Sequence, residues 1–364
     1  MTAATTQDPP AFQHHSDAAA PLGGTIGVVR AVRRRLRRRV VMVSLVLAAV
    51  LLGLFVACMV VGDYPISPQQ LFASLTGRGT RATNFIVYDL RLPRVVTGMA
   101  IGLCFGMSGA IFQSMIKNPL ASPDIIGITS GASASAVVAI LVFGLGGFAV
   151  SGISLVGAVI TAGVIYALAW RKGLAGYRLV LVGIGVAAML ASVIDYLMTR
   201  AEVNDAQVAL LWLTGSLNGA SNAKMVPLLV LTAVIVPLTL WAGAALSGLQ
   251  LGDDTAKSIG IRVEVYRLLL ILFGVALAAI ATAAAGPVGF VAFVSGPIAR
   301  RLTRGTGVAL IPAALVGAVV VTAADFVGQH LLPMQLPVGV LTAAIGAPYL
   351  IYLLIVSNRV GNGG

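Results

Sequence analysis

From Val40 onward, long apolar stretches alternate with short polar connectors, and about ten of the stretches are long enough to cross a bilayer. A helix needs about 20 apolar residues to span the hydrocarbon core. The pattern predicts spans at 40–62, 92–115, 126–145, 149–170, 177–199, 226–246, 266–285, 287–301, 306–327 and 338–357. The expected architecture is all-α and polytopic, with a single transmembrane domain over residues 40–364. The eighth stretch is short, and Gly286-Pro287-Val288-Gly289-Phe290 and Ser295-Gly296-Pro297 interrupt it and its neighbour. Paired Gly/Pro interruptions of this kind mark broken helices. Residues 1–39 break the pattern: a polar Ala/Pro/Thr/Gln segment, then seven arginines between Arg30 and Arg39. They read as a disordered, basic cytoplasmic tail.

Composition closes off the soluble alternatives. With 58% hydrophobic and 10% charged residues, no soluble domain of useful size fits in the chain. Charge then gives an orientation. With the N-terminus inside, eighteen of the 24 Lys and Arg residues fall on inner connectors and six on outer ones. This bias predicts ten spans with both termini in the cytoplasm. The arginine block ahead of Val40 is then a topology signal with compatible anionic-lipid contact, and nucleic acid is not an expected partner. The run 40–62 is about twice the length of a signal-peptide core, so it reads as a retained first span. Cys58 and Cys104 both lie inside spans, which indicates neither a disulfide framework nor a metal cluster.

Function must be read from the residues that break the apolar pattern. Arg91 and Arg94, in Arg91-Leu92-Pro93-Arg94, sit at the outer mouth of the second span against the charge bias. Two readings stand side by side: arginines snorkelling to head groups, or a docking site for an acidic soluble partner, since guanidinium pairs bidentately with carboxylate. The second span carries Gly98, Gly102, Gly106 and Gly109 on roughly one face, which allows close helix approach. Gln113 follows, then the turn Lys117-Asn118-Pro119-Leu120-Ala121-Ser122-Pro123. On the inner side, Leu251-Gly252-Asp253-Asp254-Thr255-Ala256-Lys257-Ser258-Ile259-Gly260-Ile261 predicts a short helix over 251–261. Its acids favour the N-terminal end, Gly260 stops it, and Leu251, Thr255 and Ile259 form a narrow stripe suited to a groove on a cytoplasmic protein. Asp195 and Asp325, near outer span ends, read as solvated or capped rather than as proton relays.

Taken in order, these pieces resemble the permease subunits of type II ABC importers, the family that takes up ferric siderophores, haem and cobalamin. The resemblance rests on Arg91-Leu92-Pro93-Arg94, Gln113, Asn118-Pro119-Leu120-Ala121, Trp212-Leu213-Thr214-Gly215-Ser216-Leu217 and the 251–260 segment. It continues through Gly286-Pro287-Val288-Gly289-Phe290, Ala324-Asp325 and Leu336-Pro337-Val338-Gly339-Val340, and covers residues 40–357. It implies a ten-span subunit paired with a second permease, two cytoplasmic ATP-binding subunits and an extracytoplasmic substrate-binding protein. Arg91 and Arg94 would dock the binding protein. Leu251, Gly252, Asp253, Asp254, Lys257 and Gly260 would belong to the coupling helix, and Gly173, Ala175 and Gly176 to the inner gate. Gln113, Asn118, Pro119, Gly286, Pro287, Gly289, Pro337 and Gly339 would be structural.

Two departures qualify the resemblance. Gln329 stands where the family usually has an arginine, which favours a heterodimer over a homodimer, and Gly296-Pro297 replaces the usual Pro-His. The expected function is the membrane permease of an ATP-driven importer of ferric siderophore, with haem or cobalamin as alternative cargo. The chain contains no Gly-x-x-x-x-Gly-Lys-Ser/Thr, so ATP and Mg belong to the partner ATPase and the chain itself is no enzyme. An ion-coupled secondary transporter is the rival, and it would leave the 251–261 helix without a role.

Overall fold

A computed structural model describes residues 22–170, 176–305 and 307–361, and every regular element among them is a helix. In order, the elements are α1 (Leu22–Val60), α2 (Pro68–Leu75), α3 (Arg81–Phe85), a π-helical turn (Ile86–Arg91), α4 (Leu92–Ile116) and α5 (Ile128–Leu141). They continue with α6 (Phe148–Ala169), α7 (Gly176–Arg200), α8 (Val203–Leu213), α9 (Asn222–Gly243), α10 (Leu246–Leu249) and α11 (Asp253–Ser258). The last are α12 (Val263–Ala285), α13 (Val291–Leu302), α14 (Leu310–His330) and α15 (Val338–Gly361).

Each predicted span has a helix, but among the described residues only seven helices are both long and apolar enough to cross a membrane. The segments Ile128–Leu141 and Val338–Leu353 are shorter apolar stretches, and α13 has only 12 residues. At 1.5 Å per residue, α13 reaches about 18 Å, which crosses part of a bilayer. Its start explains why: Gly286 caps α12 at φ 78° and Phe290 takes a left-handed φ of 65°, so the chain reverses inside the membrane domain. The N-terminal side differs from expectation too. Helix α1 begins at Leu22, so the arginine block continues the first span instead of belonging to an irregular tail. Arginine is a good helix former, and Arg39 Nε anchors the block by donating to the Leu302 carbonyl at 3.1 Å.

The core is built around α4, whose interior face packs on α14, α12 and α13. Along α4 and α14, backbone meets backbone. A Cβ on Gly102 would overlap the Gly317 carbonyl, and a Cβ on Gly317 would overlap that of Gly102. Gly106 meets Ala313 and Gly109 meets Ala292 in the same way. In lipid, where apolar transfer gives no drive for association, such van der Waals approach is what holds helices together. Phe105, Ile101, Ile111 and Phe112 fill the flanks and are buried. Ser108 Oγ donates to the Gly274 carbonyl at 2.7 Å, tying α4 to α12.

Candidate functional site

One end of the bundle gathers the exceptional arginines. Pro93 has no N–H to give the Asp89 carbonyl, and just before it the ladder widens to a π-turn in which the Leu92 N–H reaches the Val87 carbonyl. Asn222, at the start of α9, donates through Nδ2 to the freed Tyr88 carbonyl at 3.2 Å. This turn aims Arg91 at the end of α1. Its Nη1 and Nη2 donate to the carbonyls of Met59 and Tyr64, both at 2.6 Å. A cation there complements the carbonyl end of a helix.

One turn later, Arg94 forms a bidentate pair with Asp325 of α14, Nε to Oδ2 at 2.9 Å and Nη2 to Oδ1 at 2.8 Å. Its Nη1 donates to Asn218 Oδ1 at 2.8 Å. The Asp325 side chain is only 6% exposed, so the carboxylate depends on this arginine. Asp325 is therefore paired and buried, contrary to the expectation of a solvated or capped end residue. Around the pair opens a cavity of about 370 Å³, lined also by Asp63, Asp89, Gln329 and His330. A guanidinium carries five N–H donors. Arg94 spends three and Arg91 two on these contacts, which leaves N–H donors on each without a partner in these contacts.

Beside this cavity, three motifs far apart in sequence form one knot. The Ser216 N–H donates to the Ala285 carbonyl at 2.8 Å, and the Gly339 N–H donates to Gly215 at 3.1 Å. A Cβ at Gly286 would strike the Trp212 carbonyl, and one at Gly339 would strike that of Thr214. Pro337 and Gly339 thus seat the start of α15 on the α8–α9 connector, while Gly286 and Pro287 seat the α12–α13 reversal on it. Gly289 has nothing within 4 Å of its Cβ position, so packing does not explain a glycine there.

At the opposite end of α4, Gln113 resolves a problem set by Pro297. Pro297 lacks the N–H that would bond the Phe293 carbonyl four residues back, and Gln113 Nε2 supplies that bond at 2.9 Å. Arg300 Nη2 donates to Gln113 Oε1 at 3.1 Å. Gly296 makes room, since a Cβ there would overlap the amide oxygen. The departure Gly296-Pro297 is thus matched by Gln113. Helix α4 then ends at Lys117 in the left-handed region, φ 55°, and Asn118 Oδ1 accepts from the Leu120 N–H at 2.9 Å across Pro119. In the same turn, burial pushes the Asp124 carboxyl up to about 6, with the Thr129 hydroxyl pulling it back.

Helix α11 covers Asp253–Ser258, six residues rather than the predicted eleven. Gly252 at φ 105° and Gly260 at φ 83° hold its two ends. Asp253 and Asp254 fall in its first turn and Lys257 in its last. Asp253 is clamped by Arg267 Nη2 at 2.8 Å. Leu251 and Ile259 flank the helix and are 64% and 60% exposed, a pair of apolar knobs left largely uncovered by the described residues. Gly176 opens α7, whereas Gly173 and Ala175 lie outside the described residues. Sequence reasoning missed Asn218 as a partner of Arg94, Asn222 as the support of the π-turn and Gly317 as the partner of Gly102. Asn218 follows directly on the Trp212–Leu217 motif, which was the one available signal for it.

The comparisons agree with one another. The model of the FecCD transport family matches residues 45–356. The chain is 43% identical over 303 residues to the ferric enterobactin transport system permease protein FepG of Escherichia coli (strain K12), covering 82% of this chain and 91% of that one. It is 40% identical to the achromobactin transport system permease protein CbrC of Dickeya dadantii (strain 3937), over 86% of this chain and 90% of the relative. Among solved structures, a metal-chelate type ABC transporter in an inward-facing conformation superposes with a TM-score of 0.78 at 25% identity. That match covers 86% of this chain and 99% of that one.

Proposed function

Because the chain belongs to the FecCD transport family and so forms the membrane permease of an ABC importer, we propose that its cargo is a ferric siderophore. The observation that carries the reading is the match at 43% identity to a ferric enterobactin permease over 91% of that protein. Achromobactin and iron-hydroxamate permeases among the further relatives point the same way.

The mechanism follows from what the two ends offer. At the Arg91/Arg94 end, an extracytoplasmic binding protein delivers the chelate, its carboxylates meeting the spare N–H donors around the cavity. Steered charge pairs of this kind set docking register and encounter rate more than affinity. At the other end, Leu251 and Ile259, held by the Arg267–Asp253 clamp, insert into a cytoplasmic ATP-binding subunit. That partner holds ATP and Mg, and its closure pulls on α11 and the adjoining α12. Alternating access then comes from shifts of packed helices. Gln329 in the cavity wall leaves one docking position without a cation, which a second, different permease supplies. In this reading both termini are cytoplasmic.

The test compares uptake of radiolabelled ferric enterobactin, a ferric hydroxamate and cobalamin in a parent strain and one lacking this chain. Loss of a ferric chelate with cobalamin spared is expected. Loss of cobalamin alone would overturn the siderophore assignment while leaving the importer intact.

A further inference from the structure

Where α1 leaves the bundle at its arginine-rich end, a trough of about 920 Å³ separates it from the end of α13. That volume is in the range of sites that hold small molecules. Its floor is apolar: Leu36, Val43 and Leu47, one stripe of α1, face Leu302 across the gap. Its rim is cationic, formed by Arg35, Arg38 and Arg39 from α1 and Arg304 from the α13–α14 connector. No Asp or Glu is among the residues that line the trough, and the sequence has none between Asp17 and Asp63 or between Glu264 and Asp325. Among the described residues none of the four forms an ion pair.

Arg304 supplies a second, independent observation. It adopts φ 56°, and the Gly305 N–H closes back on the Arg300 carbonyl at 2.7 Å. That closure puts Arg304 at the left-handed position after a helix where glycine is usual. Glycine would take that conformation without steric cost. Instead the chain places there the arginine that completes the rim, and a strained residue at a cleft is a pointer to function.

We propose that this trough is a binding site for one anionic phospholipid, its phosphate held by Arg38, Arg39 and Arg304 and an acyl chain laid along Leu36, Val43 and Leu47. The arrangement matches the chemistry of such a lipid: acyl-compatible floor, phosphate-compatible rim, and a position where a membrane span reaches the head-group level. Charge complementarity also argues against a second copy of the basic α1 as occupant. The bound lipid would brace α1 against α13, the broken helix whose Pro297 leans on Gln113, and so would stiffen that end of the bundle.

The test uses the full chain, purified in neutral detergent with its partner subunits, and native mass spectrometry after exposure to equal phosphatidylglycerol and phosphatidylcholine. Wild type should retain one phosphatidylglycerol in preference to phosphatidylcholine. Each rim arginine replaced by Gln, as in R38Q and R304Q, should weaken retention about fivefold, the effect of about one basic side chain at an anionic surface. A control removes equal charge from α1 residues that do not line the trough, R34Q and R37Q, and should leave retention unchanged. M42W, which fills the trough without altering charge, should abolish it while the complex elutes intact. Equal loss in the control would show diffuse attraction and no site. A trough covered by a partner subunit would show as wild type retaining no lipid, and that too would overturn the proposal.

Discussion

Helices α4 and α7 are both 25 residues long and apolar enough to span a membrane, yet they live in opposite surroundings. In the span that contains α4, 83% of the most apolar window is buried, against 11% for α7. Apolarity therefore did not decide which helix became the core, because lipid and protein interior are equally good solvents for leucine. What separates them is the small-residue seam and the polar handles. On α4 all four glycines from Gly98 to Gly109 meet another element, a continuous seam, whereas on α7 Gly183 alone meets a neighbouring backbone, at Ile126, and Gly185 has nothing within 4 Å. Arg94 of α4 is locked to a buried Asp325, whereas Arg200 of α7 rests over the exposed ring of Tyr196. In this fold the central helix is marked by what it lacks in side chain and by which charges it can afford to bury.

Matched substitutions on the two helices test that contrast. The largest effect is expected for R94Q, which strands the Asp325 carboxylate and should cost about 3–5 kcal/mol. Thermal unfolding in detergent would read it, and R94Q/D325N should recover part of the loss. R200Q on α7 should stay within about 0.5 kcal/mol of wild type. Next, G102V forces a side chain into the Gly317 backbone and should cost about 3 kcal/mol, while G185V should unfold like the parent. If G185V instead blocks pairing of permease subunits, that face of α7 is the interface. Smaller again, Q113L leaves the Phe293 carbonyl without a donor and should cost about 2 kcal/mol. The α7 counterpart T199A, losing only an exposed bond to the Asp195 carbonyl, should shift stability by less than about 0.5 kcal/mol.

The same contrast explains what could be read in advance. The ten apolar stretches, the α4 glycine face and the Gly/Pro interruption before α13 all show in the sequence, because each is a local pattern of residue type. The π-turn ahead of Pro93 did not show, since Asn222 supports it from 133 residues away in the case of Asp89, the nearer of its two contacts in sequence. Likewise Arg94 and Asp325 are 231 residues apart, so each was visible only as a charge near a span end. Helix α11 lies inside the 251–261 segment that the sequence predicts as helical, and is shorter than it. Gly252 and Gly260 at positive φ both stop it, and only Gly260 had been read as a stop. The arginine block breaks the apolar pattern and so predicts no span, although arginine itself favours a helix and α1 runs through it. Gly173 and Ala175 lie outside the described residues.

The most direct test of the account is transport in proteoliposomes that hold this chain with its partner permease and ATP-binding subunits, with binding protein and ferric siderophore outside. The expected result is accumulation that requires lumenal ATP and Mg, persists with all ion gradients collapsed, and fails when the ATP-binding subunits are omitted. Accumulation driven by a proton or sodium gradient, with those subunits absent, would contradict it.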